Sequence, residues 1–76
     1  MTTREDMIEP AEIIDHMARD VLVARRSGQS EGEVDLAAFG WTTDQVAAHA
    51  AAGHDLATDP DFVSREAVER MAAAAG

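Results

Sequence analysis

The stretch LAAFGWTTDQVAAHA, Leu36–Ala50, decides how the chain is read. A short apolar run ends at Gly40, which can take the left-handed conformation that closes a helix. Trp41 follows, then Thr42-Thr43-Asp44-Gln45. That is a capping box: the Thr42 hydroxyl accepts from an orphan backbone N–H, and the Gln45 side chain reaches back. The stretch predicts one helix ending near Phe39 and another starting near Thr43. On the later helix Val46, Ala50, Gly53 and Ala57 share an arc of about 60°, the buried face. They are small, so a neighbouring helix can approach closely. Asp44 and Asp55 fall opposite, within about 20° of one another and about 16 Å apart along the axis.

Upstream, Pro10 suits a first helical position, with Glu9 and Glu12 at the positive end of the dipole. Ile13, Ile14, Met17, Ala18, Val21 and Leu22 then form a helical stripe. Arg25 and Arg26 sit where a last turn favours positive charge. Asp15 with Arg19, and His16 with Asp20, are i,i+4 neighbours assigned to the wet side. Ser27–Gly32 reads as a loop, and Ser30 to Glu33 has the capping-box form. Downstream, Asp59 is an N-cap and Pro60 a first helical position. The last helix has an inward stripe of Val63, Ala67, Met71 and Ala74, with Phe62 on its other, charged side, where it either folds back near the helix start to pack on the helix over 43–57 or that over 10–26, or stands exposed as an anchor. The expected fold is all-α, one domain spanning residues 1–76, a small bundle of three to four short helices. Their spans are about 10–26, 31–39, 43–57 and 60–75. The expected core is Ile13, Ile14, Met17, Val21, Leu36, Phe39, Trp41, Val46, Val63 and Met71. A chain of this length buries only roughly 60–65% of its unfolded surface, so its stability margin is thin.

Asp35–Ala51 resembles the helix-turn-helix proteins. The anchors are Gly40 at the turn, Phe39 and Trp41 beside it, Thr42 as cap and Val46 facing inward. Leu36 departs from the small residue usual four before the glycine. The resemblance implies a paired-helix geometry and, in most such proteins, DNA binding.

Charge opposes the DNA part of that implication. The chain has 15 acidic residues, six arginines and no lysine, a net charge of −9. Residues 27–64 hold Glu31, Glu33, Asp35, Asp44, Asp55, Asp59 and Asp61 and no Arg or Lys. Phosphate contacts are made by Lys and Arg, and base edges by Arg, Lys, Asn or Gln. Gln45 is the one plausible base reader, so no direct nucleic-acid binding is expected.

Other chemistry finds little support. Cysteine is absent, which removes disulfides, thiolate metal sites and cysteine nucleophiles. His49 and His54 are five apart, about 140° around a helix, and do not converge on a metal. His16 lies on another helix. No Gly-rich phosphate loop is seen, so no catalytic residue, metal or cofactor is expected. The N-terminal residues lack the apolar region of a signal peptide, and no run reaches the ~20 apolar residues of a membrane span. A cytoplasmic protein with no membrane partner is expected.

These features point to a protein that binds protein. In one reading Glu31, Glu33, Asp35, Asp44, Asp55, Asp59 and Asp61 stand in for phosphates and occupy a partner's basic nucleic-acid-binding groove. In size and composition the chain resembles small acidic phage inhibitors of the DNA-mimic and anti-CRISPR kind, which implies an inhibitory role. In the other reading the central unit is an adaptor or regulator in a phage or transcription assembly. It then binds through an apolar surface, with Phe62 as an exposed anchor beside the acidic rim. The sequence leaves the partner's identity and the oligomeric state open.

Overall fold

The long helix α1 spans Pro10–Arg26, with proline in its first turn and Arg25 and Arg26 in its last. The computed structural model describes residues 3–30 and 34–75. Helix α2 spans Thr43–Ala57 and α3 spans Pro60–Ala75, with 3-10 turns at Arg4–Asp6 and Leu36–Phe39. There is no strand among the described residues, and the fold is a small all-α bundle.

The local signals account for the boundaries. Gly40 is left-handed, at φ 108°. The Thr42 hydroxyl accepts from the Gln45 N–H at 3.1 Å, and the Gln45 side chain accepts from the Thr42 N–H at 2.9 Å. The Asp59 carboxylate accepts from the Asp61 N–H at 2.9 Å, capping α3.

The expected helix over 31–39 is different. Its described part is helical only over Leu36–Phe39, as a 3-10 turn; Glu31, Gly32 and Glu33, with the expected box, lie outside the described residues. The Asp35 carboxylate accepts from the Ala37 N–H at 3.1 Å. That bond offers the backbone an alternative to an α-helical start. Only four residues then remain before Gly40 ends the turn.

The core is built where α1 and α2 pack together. Met17, Ala18 and Val21 are fully buried, joined by Ile13, Leu22, Leu36, Trp41, Ala57 and Phe62. Phe39, Val46 and Val63 are partly buried against this cluster, and Ile14, at the edge of the α1 stripe, is half-buried. Gly53 is buried on the small face of α2. A Cβ there would lie 2.9 Å from Met17 Cβ, so glycine permits the close crossing.

Helix α3 corrects the expected orientation. Phe62 is buried, 3% exposed, while Met71 is 68% exposed and leaves the core. Only the short link Thr58–Asp59 separates α2 from α3, which sets the first turn of α3 against the body. Burying the phenyl ring there contributes about 1.5–3 kcal/mol. The same side of α3 reaches α1 through Glu66 to Arg26 at 3.2 Å and Glu69 to Arg19 at 3.2 Å. Val63 and Ala67 are half-buried, while Met71 and Ala74 stay exposed.

Candidate functional site

The acidic residues fall into two groups. Asp15, Asp20, Glu66 and Glu69 hold arginines. Arg19 pairs with Asp15 at 3.0 Å as well as with Glu69, and Arg70 pairs with Glu66 at 3.1 Å. Arg25 donates to the Ala57 carbonyl at 3.2 Å. Countercharge is thus concentrated on α1, α3 and the N-terminal segment.

The other group is the acidic set expected from the sequence. Asp35, Asp44, Asp55, Asp59 and Asp61 are all exposed. Asp35 and Asp59 act as caps. Asp44 and Asp61 stand in the first turns of α2 and α3, where a carboxylate is favoured by the helix dipole. No salt bridge reaches any of these five among the described residues. Asp55, Asp59 and Asp61 gather at the α2–α3 junction, Asp44 lies at the far end of α2, and Asp35 lies beyond the turn. Glu31 and Glu33 fall outside the described residues. Phe62 does not join this surface: its ring is in the core, which withdraws it as an exposed anchor.

The arrangement that sequence reasoning missed is centred on Asp20. Asp20 was assigned to the wet side of α1 beside His16, yet it is 5% exposed. Its Oδ2 accepts from Trp41 Nε1 at 2.7 Å and from Arg4 Nε at 2.9 Å. Its Oδ1 accepts from Arg4 Nη2 at 2.9 Å. The Arg4 guanidinium also lies 5.9 Å from the Phe39 ring centroid and 5.8 Å from that of Trp41. The hydrogen bonds from Arg4 to Asp20 hold the guanidinium above its ordinary pKa, against the opposing effect of burial. A buried carboxylate is stable here because its oxygens meet a bidentate cation and an indole N–H.

Gln45 is committed to the same region. Besides closing the capping box, its Nε2 donates to the Arg4 carbonyl at 2.8 Å and to the Met7 carbonyl at 3.4 Å. The candidate base reader therefore ties down the N-terminal segment. Comparison with protein-family models, curated proteins and solved structures gave no match. Among the described residues, no group of three His, Cys, Asp or Glu side chains is placed to hold a metal ion. No helix among them is long and apolar enough to cross a membrane.

Proposed function

We propose that this chain is a non-enzymatic, acidic protein-binding module that occupies a basic, nucleic-acid-binding groove of a partner protein. The observation that supports this reading is the separation of charge. Arg4, Arg19, Arg26 and Arg70 pair with acids of α1 and α3. Asp35, Asp44, Asp55, Asp59 and Asp61 receive no such partner among the described residues and face solvent. Uncompensated charge of one sign raises the encounter rate with an oppositely charged surface and suppresses approach to nucleic acid. The helix-turn-helix-like unit then serves as a frame for carboxylates rather than as a reader of bases.

The adaptor reading has one observation in its favour. Val68 and Met71 on α3 are 65% and 68% exposed, an apolar alternative to the buried Phe62. Salt separates the two readings. Capture from a host lysate is performed with the wild-type chain and with the Asp44→Arg/Asp55→Arg double variant, at low and high salt. The acidic reading expects a nucleic-acid-binding protein that is lost at high salt and lost with the double variant. DNA should compete for it. A captured protein indifferent to salt, to the double variant and to DNA overturns this reading in favour of the adaptor.

A further inference from the structure

We infer that Asp20, Trp41 and Phe39 form an arginine-binding site that the chain's own Arg4 occupies, and that an arginine of a protein partner can take its place. The pocket has the parts that select a guanidinium. Its floor is the Asp20 carboxylate, 5% exposed and oriented by the Trp41 indole N–H. Its two oxygens each take one N–H of the guanidinium fork, both at 2.9 Å. Two aromatic rings stand within cation–π reach of the same group. A lysine ammonium presents a point charge and cannot reproduce the planar two-pronged contact.

The segment that carries the cis occupant is little buried apart from Arg4 and Met7. In residues 3–9 only Arg4 and Met7 are half-buried; Thr3, Glu5, Asp6, Ile8 and Glu9 are exposed, and Ile8 is 86% exposed. Apart from Arg4 and the first bond of α1, from the Ile13 N–H to the Glu9 carbonyl, the described polar ties from this segment to the rest of the body are the two bonds from Gln45. Segments with few buried apolar contacts open at a free energy below that of global unfolding. Arg4 competes for the pocket at an effective concentration set by this short tether. An arginine presented by a bound partner gains the same advantage, and the acidic surface favours its approach.

The pocket can be tested without any partner. In the Arg4→Ala chain the probe is N-acetyl-arginine amide. N-acetyl-lysine amide and sodium chloride at equal ionic strength are the controls. Binding is expected with a Kd on the order of 1–10 mM, read from Trp41 fluorescence because that indole lines the site. At about ten times Kd the melting temperature should rise by roughly 5–10 °C. Should Arg4→Ala be unfolded in buffer, the arginine compound is expected to restore its helical circular dichroism. Adding Asp20→Asn should abolish either response. No response at ten times the expected Kd, or an equal response to the lysine compound or to salt, overturns the site. Exchange is tested on the wild-type chain through the Arg4 Nε–H, whose bond to Asp20 breaks when the segment leaves. It should exchange with solvent at least tenfold faster than the most protected amides of α1. Equal rates would mean that the segment leaves only on global unfolding, and would overturn the replacement of Arg4 by a partner.

Discussion

At the scale of single residues, the Asp20 cluster shows how one buried charge sets unequal demands on its neighbours. The Asp20 side chain is 7% exposed and that of Arg4 is 37% exposed. Removing Arg4 strands a carboxylate in the interior, with only the indole N–H left to answer it. Breaking a buried pair in that way costs about 3–5 kcal/mol. Replacing Asp20 by asparagine keeps an acceptor for Trp41 and lets Arg4 turn to water, at a cost of about 1–2 kcal/mol. Urea unfolding should therefore rank Arg4→Ala below Asp20→Asn in stability. The reverse order would show that the guanidinium, not the carboxylate, bears the desolvation. The wet-side reading of Asp20 passes over a spacing signal. Asp20 comes seven residues after Ile13 and four before Ala24, both buried, so helical spacing puts it at the edge of the apolar stripe. Its partner was not legible: Arg4 is 16 residues away in a segment without helical periodicity, and only the folded chain brings the two together.

At the scale of elements, the three long helices followed from local chemistry and one orientation did not. Proline at the first position, the Thr42–Gln45 box, left-handed Gly40 and the Asp59 cap act over a few residues, so α1, α2 and α3 were legible end to end. The turn before Gly40 was misread because the Asp35 side chain competes with the backbone, a contest that apolar periodicity does not report. Helix α3 was misoriented for another reason. Its apolar stripe of Val63, Ala67, Met71 and Ala74 is a true amphipathic pattern, but the body is too small to cover its far half. One aromatic ring and two ion pairs to α1 decide the rotation instead. Phe62→Ala should cost about 3–5 kcal/mol. Met71→Ser should fall within about 0.5 kcal/mol of wild type, as an exposed position does. Equal costs in thermal or urea unfolding would return Met71 to the core and reverse the assignment of the two faces.

At the scale of the whole molecule, the question is whether charge helps or harms the fold. The ion pairs Arg19–Asp15 and Arg19–Glu69 join exposed side chains, and such pairs contribute about 0–1 kcal/mol each. Against them stands a net charge of −9 on 76 residues, which repels itself in the compact state. Both effects are screened by salt, with opposite signs for stability. Raising sodium chloride from about 0.01 to 1 M shortens the screening length from about 30 Å to about 3 Å. Since the repulsion is long-ranged and the exposed pairs are weak, relief of repulsion should win and the melting temperature should rise. A gain of about 1 kcal/mol corresponds to roughly 4–8 °C for a domain of this size. The Asp44→Arg/Asp55→Arg variant identifies the source. Each substitution adds two positive charges, so the net charge moves from −9 to −5. Both positions are exposed and make no salt bridge among the described residues, so the fold should survive. Asp44 gives up about 0.3–1 kcal/mol of dipole stabilisation, and weaker repulsion offsets it. The variant should therefore show a flatter rise of melting temperature with salt than the wild type. A melting temperature that falls with salt would mean that internal ion pairs outweigh the acidic surface, and an identical slope in both chains would mean that Asp44 and Asp55 carry none of the repulsion. The carboxylates around α2 would then be a solvated coat with no strain for a basic partner to relieve.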